Sequence, residues 1–292
     1  MLFQHHKGDL IMSVRIIVDS TADLTPEIQK QVTVVPLTIH FGDEEYYDGV
    51  TINQKQFYEK LIESDVLPKT SQPTPASFEE VFQNTVDAGD TAVVLTIASK
   101  LSGTFQSASI AASEFPGKIH VVDTNTVAIG SGILTELALQ LAAEGMEAEA
   151  IAARITAERD NVCLVALLDT LEYLKRGGRI SKTVAFAGGL LSIKPVIHVK
   201  DGEIGMLGKA RGSRQGNNLL VKEIEAAGGV DFRKPLLLGY TGLSNHLLEK
   251  YMQDSAALWE GNVDELRYTC IGSTVGTHAG PGAVAVAFFK KN

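Results

Sequence analysis

TAVVLTIASKLSGTFQSASIAASEFPGKIHVVDT, residues 91–124, decides the fold. Thr91–Ser99 is an unbroken apolar run with β-branched residues, the signature of a strand buried on both faces. Lys100–Ala108 turns into a helix at Leu101-Ser102-Gly103-Thr104, and KIHVVDT is a second strand. Strand, helix, strand at this spacing makes a parallel pair with a crossover helix, in which sites lie at the carboxyl ends of the strands.

Outward from this unit the first half repeats the alternation. RIIVDS (Arg15 to Ser20) reads as a strand, and Thr25-Pro26 as an N-cap with proline at the first helical position. VTVVPLTIHF reads as one further strand. Gln54 to Ser64 carries Phe57, Tyr58, Leu61 and Ile62 at helical spacing. Lys69–Pro75 is extended or turning, because two prolines restrict it. Helices are expected from Ser77 to Asp87 and from Gly130 to Gly145. The second half changes character: the strand CLVALLDT, a helix stop at Gly177-Gly178, a hairpin at Asp201-Gly202, and late strands around KPLLLGYTG and AVAVAFF. The expected fold is α/β with two α/β domains. An N-terminal, doubly wound, mainly parallel sheet occupies 14–158, and a C-terminal mixed sheet with helices occupies 159–292, with a ligand between them. Residues 1–13 read as a translated leader, with Met12 as the hypothesised native start because Lys7-Gly8-Asp9 would be encoded by a purine-rich stretch. An N-terminal peptide from the native source beginning upstream of Met12 would reject that start. His5 and His6 are accordingly not metal-ligand candidates.

At 292 residues, 45% hydrophobic, with net charge -9, the chain has material for ordinary cores and no whole-surface nucleic-acid footprint. No apolar run approaches the roughly 20 residues of a membrane span. Cys163 and Cys270 stand far apart, outside any C-x-x-C pair, and no histidine cluster has zinc-ligand spacing. Lacking a disulfide framework and a secretory leader, the chain is expected in the cytoplasm. Walker A and G-x-S-x-G patterns are absent, and Gly130-Ser131-Gly132 lacks the third glycine of a dinucleotide fingerprint.

Three polar motifs break the apolar pattern: Thr70-Ser71-Gln72-Pro73, Leu101-Ser102-Gly103-Thr104, and a turn at Gly276-Thr277-His278-Ala279-Gly280-Pro281-Gly282. Any one can be an ordinary loop or cap. Together, two hydroxyls and an imidazole suit a carboxylate. Ser102 with His278 as base would suit a hydrolase or acyltransferase instead, though no third member is identifiable. A basic cluster (Lys175, Arg176, Arg179 and Lys182, then Lys209, Arg211 and Arg214) contrasts with the acidic whole. It reads either as a solvated helix end or as a docking surface.

VDSTADL, TSQPT, SKLSGTFQSA, LEYLKRGGRIS and GTHAGPGAVAVAF, in that order from about Val14 to Phe289, resemble the DegV family, which includes the fatty-acid-binding subunits of bacterial fatty acid kinase. The resemblance implies two α/β domains with a fatty acid between them and its tail inside one domain. It implies a carboxylate held by Thr70, Ser102 and His278, with Arg176 and Arg179 on the kinase-docking side. It further implies an ATP-dependent kinase subunit that phosphorylates the bound acid to an acyl phosphate, so this chain would be a carrier and not the catalyst. No cofactor and no metal are expected besides the long-chain fatty acid ligand. The expected state is a monomer with transient membrane contact and no nucleic-acid partner. A Ser/His hydrolase or acyltransferase, and a lipid sensor without a kinase partner, remain open. The tail is expected to meet residues from Ala185 to Ile193 and Phe115.

Overall fold

A computed structural model describes residues 13–180 and 193–291. Strand β1 (Val14–Asp19) is followed by α1 (Pro26–Gln29), where Pro26 opens the helix and the Thr25 side chain at the N-cap accepts no capping bond. The segment 32–41 contains two strands instead of the expected one, β2 (Thr33–Val35) and β3 (Thr38–Phe41). Pro36, which has no N–H to donate, lies between them and they enter different sheets. A hairpin joins β3 to β4 (Glu44–Tyr47), and α2 (Gln54–Glu63) follows with an Asn53/Gln56 capping box. The proline-rich segment supplies β5 (Lys69–Ser71), antiparallel to β3. This three-stranded sheet, β4-β3-β5, was not expected from the sequence.

The parallel unit forms as read: α3 (Pro75–Asp87), β6 (Thr91–Thr96), α4 (Thr104–Ala112) and β7 (Ile119–Asp123), then α5 (Ile129–Ala143) and α6 (Ala148–Glu158). The sheet order β2-β1-β6-β7 is parallel throughout. Next come β8 (Val162–Leu167) and α7 (Glu172–Gly177), which ends at left-handed Gly178. The hairpin β9 (Ile193–Lys200) and β10 (Glu203–Arg211) turns at Asp201-Gly202, both at positive φ as a two-residue hairpin turn demands. The remainder is α8 (Gly212–Ala226), β11 (Leu237–Tyr240), α9 (His246–Asp254), α10 (Ala256–Trp259), β12 (Tyr268–Cys270), α11 (Ser273–Ala279) and β13 (Val284–Phe289). They complete a six-stranded mixed sheet, β10-β9-β8-β13-β11-β12.

Period-two alternation builds the layers. On β6, Ala92 and Val94 face α3 and α4, while Val93 and Leu95 face inward. On β8 and β13, Val165, Leu167, Val284 and Val286 face an outer core with α8 and α9. Leu164, Ala166, Ala285 and Ala287 join Val93, Leu95 and α5 in one core shared by both sheets. Both faces of both large sheets are therefore covered. Both cysteines are free and partly buried. Among the described residues, no helix is long and apolar enough to cross a membrane.

Candidate functional site

The shared core is not filled. A cavity of about 320 Å³ lies in it, walled by Leu164, Ala166, Ile197, Val199 and Ala285 of the mixed sheet and by Ile97, Leu101 and Val127 from the parallel half. Thr70, Ser71, Gln72, Ser102, Arg179 and His278 stand in the same wall, with Thr21, His198 and Thr274, in a lining that is mainly apolar. Ser71 and Gln72, next to Thr70 in the chain, are exposed, so this part of the wall reaches the surface.

Thr70 lies on β5, Ser102 just before α4 and His278 in the last turn of α11. The GTHAG segment is therefore mostly helix, which sets aside the reading of it as a turn with an incidental histidine; Gly280, at positive φ, ends the helix. The His278 Nε2 atom is 3.0 Å from Thr70 Oγ1, and Ser102 Oγ is 2.9 Å from Thr104 Oγ1. Gln72 ties the β5 loop to α4 by donating to Ser107 Oγ at 3.0 Å and Gly103 O at 3.3 Å. The ring of His278 sits against Gly177, where any Cβ would come within 2.2 Å of Nδ1. Only glycine lets the imidazole and α7 approach so closely.

Burial, and then the nearby Arg179 guanidinium, push the His278 imidazole down to about 4. It is neutral at physiological pH, and its buried Nδ1 has no hydrogen-bond partner among the described residues. Unfolded imidazole takes up its proton near 6.5, so between about 6.5 and 4 the unfolded chain binds more protons. The stability linked to this group is present above 6.5 and is lost as pH falls toward 4. His278→Gln in ligand-free protein is expected to flatten that part of the stability–pH curve. Urea midpoints at several pH values measure it, and parallel curves for variant and wild type would contradict it.

Arg179 turns inward, donating through Nε to Leu101 O at 3.3 Å and through Nη1 to Gly177 O at 2.7 Å. Arg176 points to solvent and pairs with Glu172 on its own helix. Lys182 and the stretch from Ala185 to 192 lie outside the described residues. Phe115 does not line the cavity: it packs edge-on against Phe82 on the far side of the parallel sheet, because its chain position follows α4 on that outer layer. Among the described residues, no group of three or more His, Cys, Asp or Glu side chains is arranged to hold a metal ion.

A buried acidic group behind His278 escaped the sequence reading. Asp48 accepts from Ser273 N at 3.2 Å and Thr274 N at 3.0 Å, and Asp23 accepts from Gly272 N at 2.6 Å. These two carboxylates cap the helix that carries His278, satisfying orphan N–H groups and the positive end of the helix dipole. Asp19 holds the neighbouring strand ends through Thr21 N and Ile97 N. Burial, reinforced by the charges of Asp48 and Asp19, raises the Asp23 carboxyl well above its ordinary range. Asp19 and Asp23 belong to VDSTADL, but their partners are up to 249 residues away, so local spacing carries no sign of the contact.

A DegV family profile, described as "Uncharacterised protein, DegV family", matches residues 13–291. A DegV domain-containing protein of Deinococcus radiodurans is 35% identical over 282 residues, covering 94% of this chain and 98% of that one. Among solved structures, a DegV family protein of Thermus thermophilus described as fatty acid binding superposes with a TM-score of 0.86 at 33% identity, covering 96% of this chain and all of that one. A stearic-acid-binding protein of Eubacterium ventriosum superposes with a TM-score of 0.84 at 27% identity, covering 95% and 98%.

Proposed function

This chain belongs to the DegV family, and we propose that it binds one long-chain fatty acid with the tail in the apolar cavity and the carboxylate at Thr70, Ser102 and His278. The observation that carries this reading is a mainly apolar cavity whose wall also holds two hydroxyls, an imidazole and a guanidinium, those of Thr70, Ser102, His278 and Arg179. Burying each methylene is worth about 0.8 kcal/mol, so a sixteen-carbon tail gains on the order of 10 kcal/mol over water. Against a bilayer that gain vanishes, because lipid is equally apolar. Extraction from a membrane then leans on the head group, at roughly 1.5–3 kcal/mol for each charge-assisted hydrogen bond.

A separate ATP-dependent kinase subunit phosphorylates the presented carboxylate, docking on the side of α7 where Arg176 points to solvent and Arg179 turns inward to the cavity. Residues 14–158 and 159–292 serve as two domains closing on the acid. The protein works in the cytoplasm as a monomer that touches the membrane transiently. The geometry favours a carrier over a Ser/His hydrolase or acyltransferase: the Ser102 hydroxyl bonds to Thr104 and the His278 Nε2 to Thr70, which leaves Ser102 without an activating base among the described residues. Native mass spectrometry of the purified protein, followed by solvent extraction, tests the reading. One fatty acid per chain is expected. A polar metabolite in its place, or ester turnover that stops with Ser102→Ala, would overturn it.

A further inference from the structure

Strand register in the mixed sheet divides the cavity floor into rows. Ala166 on β8 lies opposite Ile197 on β9 and Ala285 on β13. Two residues back along β8, on the same face, Leu164 lies opposite Val199 and Ala287, and Val199 lies opposite Ile204 on β10. Every residue named in these two rows lines the cavity except Ala287, which is fully buried in the same core without reaching the cavity.

The two rows differ in bulk. In the first, adjacent alanines leave open space at the centre of the sheet; in the second, Leu164, Val199 and Ile204 fill it. His278, with Thr70 bonded to it, stands at the other end, because β8 runs from Leu164 to Leu167 and the chain continues through Leu168 into α7, whose last residue abuts His278. From Leu164 to Leu168 the strand advances roughly 13 Å at about 3.3 Å per residue.

Resting on the lipid reading above, we propose that Ala166 and Ala285 form the passage for the acyl tail and that Leu164, flanked by Val199 and Ile204, is the stop that meets its terminal methyl, so that these residues set the chain length accepted. Leu164→Ala would place alanines side by side with Ala287 and repeat the open row one step deeper. Ala285→Leu would close the passage before the stop is reached. The two substitutions act in opposite directions on one measured quantity.

Wild type, Leu164→Ala and Ala285→Leu are each equilibrated with an equimolar mixture of saturated acids from twelve to twenty carbons, and the bound population is read by native mass spectrometry. Leu164→Ala is expected to move the preferred length up by about two carbons, and Ala285→Leu to move it down by a similar step. The ratio of long to short acid should change roughly tenfold, the effect of two buried methylenes. Circular dichroism confirms folding, and if the crowded Ala285→Leu protein fails to fold, the Leu164→Ala arm alone decides. Wild type that takes up no acid would overturn the lipid reading and this inference with it. Wild type that loads while Leu164→Ala keeps the same length distribution would overturn this inference alone.

Discussion

Gly177→Ala is expected to weaken fatty-acid binding by ten- to a hundredfold while leaving the protein as stable as wild type or more so. The methyl group would arrive 2.2 Å from His278 Nδ1, far inside contact distance, and the imidazole is the part that can move. Pushed aside, it loses Thr70 and its place beside Arg179. One charge-assisted hydrogen bond to the carboxylate is worth roughly 1.5–3 kcal/mol, which gives the stated range. Within a helix, alanine is intrinsically better than glycine by up to about 1 kcal/mol, and Gly177 is the last residue of α7, away from positive φ. Binding and stability should therefore move apart. Isothermal titration with a soluble acid and a urea melt read both quantities on one sample. Unchanged affinity would remove His278 from the head-group site.

Asp48→Ala should lower unfolding free energy by about 3 kcal/mol. Two buried backbone N–H groups, of Ser273 and Thr274, lose the carboxylate that accepts from them, and a buried unsatisfied group costs roughly 1–3 kcal/mol. Asp48→Asn keeps one acceptor oxygen and removes the repulsion felt by Asp23 and Asp19, so its loss should be nearer 1 kcal/mol. The order alanine, asparagine, aspartate in urea midpoint is the signature of a cap; equal losses in both variants would point to packing instead. Because α11 carries His278, the same substitution should also impair binding of the acid.

Local rules made much of the architecture readable. The parallel unit of residues 91–124 was legible because a buried strand, a helix start and a second strand each carry their own signal. Asp201-Gly202 announced the β9–β10 hairpin through turn chemistry alone. Where two elements read as one, at residues 32–41, the apolar pattern ran straight across Pro36 and hid the change of sheet. The sequence around His278 points to chemistry but not to a helix, since glycines on both sides suggest a break; those at 276 and 280 instead let α11 lie against Tyr58 and Tyr173. That Thr70 and His278 meet, and that Ser102 lines the same cavity, could not be read from spacing, nor could the caps given by Asp23 and Asp48. Both depend on contacts made across the whole length of the chain. The cavity itself is legible only in hindsight, as small residues on one face of β8 and β13.

Palmitate carrying carbon-13 at its carboxyl carbon, bound to the protein and followed by NMR across the pH range in which free fatty acid titrates, tests the head-group site most directly. One carboxyl resonance that holds its position through the range and shifts on Ser102→Ala is the expected result. A resonance that titrates as an acid in water does, indifferent to Ser102, would contradict a carboxylate held among Thr70, Ser102 and His278.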